Sequence, residues 1–193
     1  MKKRGANMEM DAYQWTRKDK WLYALSMVPF VIVFVGTAYI LSTYSITLTL
    51  ILVGLYLLTN IFQAGCCVGC PYRGTYCPAL CGVYLGNFLS GIIYKDRKFE
   101  QKFFKRNAAA GETMVVVLVL FPLYWVFQTA WYLVPIYLGL IAAHFLIFMP
   151  TQCEKCSYNT TCPGGQTWLG CRKWFGFGEA QNKGGMRGDE NRS

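Results

Sequence analysis

Apolar positions dominate two long stretches of the chain, and neither contains a charged residue. No Lys, Arg, Asp or Glu lies between Lys20 and Arg73, or between Glu112 and Glu154. A membrane-spanning helix needs about 20 apolar residues, so each stretch can cross a bilayer twice and is far too long for one helix. Each predicts a helical hairpin. The first runs about Trp21–Thr43, turns at Tyr44–Ser45 and returns about Ile46–Ala64. The second runs about Thr113–Thr129 and Val134–Met149, with its turn near Trp131–Tyr132. Pro135 either starts the last helix or kinks it. This second pair is slightly short, which implies little tilt or a locally thin bilayer. Trp21, Tyr23, Tyr44, Trp131 and Tyr132 fall near the ends, where interfacial aromatics belong.

The remaining segments divide the chain into six regions. They are a basic arm (1–20), hairpin one (21–64), a middle loop (65–112), hairpin two (113–149), a short segment (150–175) and a tail (176–193) rich in Gly, Asn and charge that reads as disordered. The opening Lys2, Lys3 and Arg4 do not begin a signal peptide. A polar stretch through Lys20 separates them from the apolar run, and no small-residue cleavage signal follows. All 19 Lys and Arg lie in the arm, the middle loop or the regions after the second hairpin. The positive-inside rule then puts both termini and the middle loop in the cytoplasm, with the chain integral to the inner membrane. The net charge of +9 is a belt beside the membrane, and no nucleic-acid-binding motif accompanies it.

The chain also repeats itself. The first hairpin is followed by Cys67-Val-Gly-Cys70-Pro-Tyr72 and then Cys77-Pro78; the second by Cys153-Glu-Lys-Cys156-Ser-Tyr158 and then Cys162-Pro163. The expected fold is therefore an all-α membrane protein of four transmembrane helices, arranged as two hairpins in a pseudo-twofold parallel repeat. Each hairpin carries a cytoplasmic cysteine cluster. Cys81 completes the first set of four thiols and Cys171 the second. Cys66 is left over beside Cys67 as a spare or substitute ligand.

Clustered thiols in a reducing compartment bind metal rather than forming disulfides. Four sulfurs suit zinc or the iron of an iron–sulfur cluster. A Cys-Pro ending favours iron–sulfur. It also suits the start of a helix: Pro78 onwards can form one, with Cys77 near its cap and Cys81 one turn on. A helix N-terminus favours thiolate over thiol. Tyr72, Tyr76, Tyr158, Trp168, Trp174 and Phe175 lie nearby in sequence, where they can exclude water from a cluster or simply sit at the interface. The expected cofactors are two iron–sulfur clusters of the [4Fe–4S] type, or alternatively two zinc ions.

Paired hairpins carrying Cys70-Pro71, Cys77-Pro78 and Cys162-Pro163 on the cytoplasmic side resemble the polyferredoxin-type membrane iron–sulfur proteins of the NapH/NosR kind. That resemblance implies electron transfer between a quinol pool and a protein partner through [4Fe–4S] clusters. The C-x2-C-x2-C-x3-C-P ferredoxin run of that family is absent from this sequence.

His144 is the only histidine, so a bis-histidine haem within this chain is excluded. It can hydrogen-bond a quinone or serve as a single axial ligand; the plainer reading is a buried polar residue paired with a neighbouring helix. Asn60, Gln63 and Gln128 read the same way. The stretch Tyr94–Arg106 places Phe99 and Phe103 at i, i+4 among six cations. It reads as an amphipathic helix lying on anionic lipid, ahead of a docking face for an acidic carrier. No phosphate loop, dinucleotide fingerprint, zinc-protease motif or catalytic triad is present.

The functions left are an electron-relaying subunit of a larger redox complex, a structural or assembly protein with two four-cysteine zinc sites, and a soft-metal handling protein suggested by Cys66-Cys67. The last is disfavoured because no thiol lies along the membrane path. A quinone-linked thiol–disulfide enzyme would need its cysteines on the opposite, oxidising side.

Overall fold

The computed structural model describes residues 13–68, 85–98, 100–156, 159–160 and 162–174. Among these every element is helical: α1 (Arg17–Tyr44), α2 (Ile46–Cys66), α3 (Leu85–Ile93), α4 (Gln101–Leu120), α5 (Leu123–Thr129), α6 (Leu133–Phe148), a π-helical turn (Met149–Cys153) and α7 (Pro163–Trp174). Four helical stretches are long and apolar enough to cross a membrane: Arg17–Tyr44, Ile46–Cys66, Gln101–Thr129 and Leu133–Cys153.

Local chemistry sets their limits. α1 starts four residues before the expected Trp21 because Thr16 and Asp19 form a capping box. The Thr16 hydroxyl accepts the Asp19 N–H, and the Asp19 carboxylate accepts the Thr16 N–H in return. A single residue, Ser45, separates α1 from α2. Its extended backbone ends one helix while its hydroxyl caps the next by accepting the Thr47 N–H. The third span begins at Gln101, not Thr113, so Lys102, Lys105 and Arg106 ride on helical turns below the apolar part. It therefore spans 29 residues and is not short. Pro122 divides it into α4 and α5, since a proline supplies no N–H to the helical ladder. Pro135 lies in the first turn of α6 and thus starts that helix. Tyr94–Arg106 is not one helix, because residues 94–100 connect α3 to α4. Phe99, the Pro78 helix and the tail lie outside the described residues.

The two most extensive seams are α2 against α4 and α1 against α6. α1 also lies along α2, and α5 along α6. Contacts near Ser45 (Thr49 Oγ1 to the Ala38 carbonyl, 3.3 Å) and farther from it (Phe34 on Tyr56) make α1 and α2 antiparallel. At the same end, Tyr44 bonds Thr129. The turns after α1 and α5 therefore share one end of the bundle. The opposite end holds the start of α1, the end of α2, the start of α4 and the end of α6.

Polarity is distributed inside out. Tyr39 and Leu146 are each 72% exposed, and α1 alone turns Leu25, Val28, Val31, Ile32 and Val35 outward. Buried positions include Ser26, Thr37, Thr59, Asn60, His144 and Gln152. In water such an apolar exterior would be a large adhesive patch. In hydrocarbon it is the expected surface, and polar groups that need partners belong inside. The fold is that of a membrane-integral helical bundle.

The α2–α4 seam is closest at Gly65. A Cβ there would lie 2.5 Å from Cγ and Oδ1 of the buried Asn107, so the helices meet at this distance only without a side chain. Gly65→Ala should lower stability by about 1–3 kcal/mol through overpacking. Thermal unfolding in detergent should show much of the loss recovered in Gly65→Ala/Asn107→Ala, which removes the opposing side chain.

Candidate metal centre

The end opposite the turns gathers the described cysteines, and helix termini position each of them. Cys66 closes α2 and Cys67 caps it. The Cys66 Sγ approaches the carbonyls of Phe62 and, across the seam, Phe104 at 3.9 and 4.0 Å. Cys67 is buried, and its Sγ lies 3.8 Å from where a Cβ on Gly86 of α3 would stand. The vicinal pair thus splits: Cys66 faces α4, whereas Cys67 faces α3, the helix that follows the rest of the first motif. Cys70, Cys77 and Cys81 lie outside the described residues.

The second motif is more fully described. Met149–Cys153 widens into a π-helical turn after α6, a form that recurs at functional sites. The chain then folds back, with the Cys156 and Asn159 N–H groups donating to the carbonyls of Cys153 and Cys156. Gly165 is where α7 presses against this loop. A Cβ there would collide with the backbone of Asn159, so only glycine permits the approach. α7 starts at Pro163, directly after Cys162, as a Cys-Pro pair at a helix start requires.

Cys153 lies within Coulombic reach of Cys162, Cys156 and Glu112. The Cys162 sulfur accepts the N–H groups of Gly165 and Gly164 at the start of α7. Burial nevertheless pushes the Cys162 thiol up from its ordinary value, and the nearby Glu112 adds to this. A bound metal would supply positive charge that favours the thiolate form there. Glu112 accepts the Gly164 N–H and belongs to the same neighbourhood. Sequence reasoning missed it, because a single glutamate some 40 positions before the motif has no spacing signature.

Cys171 sits near the far end of α7, one residue before the Arg172 that pairs with Glu154. It lies nine residues beyond Cys162, about 13 Å farther along α7 at 1.5 Å per residue. The six described cysteines carry no disulfide. Among the described residues no group of three His, Cys, Asp or Glu side chains is arranged to hold a metal ion as it stands. Metal binding would have to draw these side chains together. One observation favours such a group: the buried Trp168 Nε1 on α7 has no acceptor among the described residues. A thiolate or inorganic sulfide nearby would satisfy it.

Polar ties fix this end to α1. The His144 Nδ1 lies 2.6 Å from the Ser26 carbonyl oxygen. A carbonyl only accepts, so Nδ1 carries the hydrogen and, in the neutral ring, Nε2 is a bare acceptor. Nε2 is buried with no partner among the described residues. His144 also lines an apolar cavity of about 30 Å³, with Phe30, Phe145, Thr37 and Tyr137 among its neighbours. That space admits about one water, so a ring would enter only by displacing side chains. Gln152 donates to the Asp19 carbonyl. Lys155, between Cys153 and Cys156, pairs with the Asp19 carboxylate at 2.5 Å.

Searches against known protein families, curated proteins and solved structures returned no match to this chain.

The Lys155–Asp19 pair has a testable pH dependence. The hydrogen bond from Lys155 to Asp19 holds the ammonium above its ordinary 10.5, against the desolvation that opposes it. A raised lysine stabilises fully below its unfolded value and loses that contribution as pH climbs through the folded one. The tie is therefore complete at neutral pH and fails only above 10.5. Lys155→Met leaves the buried Asp19 carboxylate with its Thr16 and Tyr13 partners alone. It should cost about 1–3 kcal/mol at pH 7, and Asp19→Asn/Lys155→Met should cost less, as read by thermal unfolding.

Proposed function

We propose that this chain is an integral membrane iron–sulfur protein that relays electrons on the cytoplasmic face as a subunit of a larger redox complex. The observation that carries this reading is the gathering of Cys153, Cys156 and Cys162 at one end of an apolar bundle, the end that also bears Cys66 and Cys67. An iron–sulfur cluster supplies one-electron transfer when bound. The chain's part is to present thiolates, exclude water and hold the loops. The second cluster takes Cys153, Cys156 and Cys162, with Cys171 or the neighbouring Glu112 as the fourth donor. The first takes Cys67, Cys70, Cys77 and Cys81. The orientation of Cys67 towards α3 supports its choice over Cys66.

The repeat is part of the proposal. Exchanging the hairpins converts the α2–α4 seam into the α6–α1 seam, and both are extensive. This supports a pseudo-twofold axis along the membrane normal. The charge distribution supports a cytoplasmic location for the cysteine end, where the basic residues lie. His144 is the proposed contact to a quinone: its bare Nε2 suits the hydroxyl of the reduced, quinol form once Phe30 or Phe145 moves aside.

Anaerobically purified protein should contain several irons per chain and show a broad visible band that dithionite bleaches. Cys153→Ser and Cys162→Ser should each remove about half of that band, and comparing Cys171→Ser with Glu112→Gln should show which of the two supplies the fourth ligand. A colourless protein with two zinc ions per chain would instead identify a scaffold whose metals brace its loops. His144→Leu should leave the band intact and slow cluster reduction by a short-chain quinol about tenfold or more, in stopped-flow absorbance.

A further inference from the structure

The C-terminal turn of α2 and the first turns of α4 enclose a groove of about 520 Å³. Its polar side carries Arg97, Lys102 and Arg106, and its apolar side Phe62, Phe103 and Ala110. Glu100 is the one acidic side chain among its lining residues, so the groove keeps a net charge of about +2. The Arg97 guanidinium lies 4.4 Å from the Phe103 ring centroid. This contact folds the loop after α3 back over the groove. Phe62 belongs to the second candidate span and Ala110 to the third, so the apolar side continues into the part of the bundle suited to hydrocarbon. Cations at one end and an apolar path at the other match an anionic amphiphile, with its phosphate at the arginines and its chains alongside Phe62.

We infer that this groove is a specific site for the phosphate headgroup of an anionic phospholipid, wedged at the α2–α4 seam beside Cys66. Lys95, Lys98 and Lys105 come from the same stretch of chain and are exposed, but do not line the groove. They form the nonspecific belt that any membrane-facing basic segment presents. The site stands on the membrane reading and is independent of the clusters. A bound headgroup would offset three clustered cations and brace the turn that ends in Cys66 and Cys67.

The test uses the full chain in detergent and compares Arg97→Gln/Lys102→Gln/Arg106→Gln with Lys95→Gln/Lys98→Gln/Lys105→Gln. The two variants lose the same formal charge. Native mass spectrometry and thermal unfolding would follow added phosphatidylglycerol, phosphatidylcholine and inorganic phosphate. The expected result is one tightly held phosphatidylglycerol that raises the melting midpoint. The groove variant should bind it about tenfold or more weakly, since each cation near an anionic surface is worth about 1 kcal/mol; the control variant should match the parent. Equal losses in both variants would mean a diffuse charge belt and overturn the site. Equal protection by inorganic phosphate would make it a free-anion site, and equal binding of phosphatidylcholine would remove the charge recognition. The comparison of lipids on the parent protein stands even where the groove variant fails to fold.

Discussion

The hydrogen bonds that α1 accepts at the cysteine end hold the rest of the bundle in register. His144 reaches the Ser26 carbonyl, Gln152 the Asp19 carbonyl and Lys155 the Asp19 carboxylate. Helix carbonyls are usually committed to their own ladder. Pro29 interrupts that ladder within α1, because it cannot donate to the carbonyl four residues before it. That carbonyl is Leu25's; the neighbouring Ser26 carbonyl accepts from His144 Nδ1. Within an apolar bundle, where hydrophobic burial scarcely favours one helix contact over another, such directional bonds and close packing decide which faces meet. The other seam uses the packing half of this rule, with Gly65 letting Asn107 approach the α2 backbone.

These ties connect the interior to the cysteines. Lys155 lies between Cys153 and Cys156, so the ion pair that anchors α1 also anchors the turn carrying the second motif. Arg172 of α7 bonds Glu154, the residue after Cys153, at 3.1 Å. α7 and the π-helical turn therefore grip one short loop from both sides.

Much of the architecture was legible in the sequence, for one reason: charges are expelled from hydrocarbon, so their absence outlines the spans. The turn at Ser45 followed directly. The lower end of the third span was not legible this way, because Lys102, Lys105 and Arg106 carry the charge pattern of a loop. A helix continues past the membrane edge whenever its residues favour it, and Gln101–Ala110 is rich in good helix formers. The early start of α1 was written in Thr16 and Asp19, a local capping signal outweighed by the charges around it. Cys153, Cys156 and Cys162 were legible by spacing. Glu112 was not, since its place beside them depends on where α7 comes to rest, and that is set by Gly165 against Asn159, Gln166 on the Thr160 carbonyl and Arg172 on Glu154.

The single residue between α1 and α2 constrains how the protein is made. Two long apolar helices joined by Ser45 leave no polar loop to be handed across a membrane separately. The pair has to enter as one unit, with the tip between Tyr44 and Ile46 leading. The far side then presents this turn and the short Ala130–Tyr132 turn after α5, with little for another protein to grasp. Contact with anything dissolved in water is then left mainly to the opposite end of the bundle.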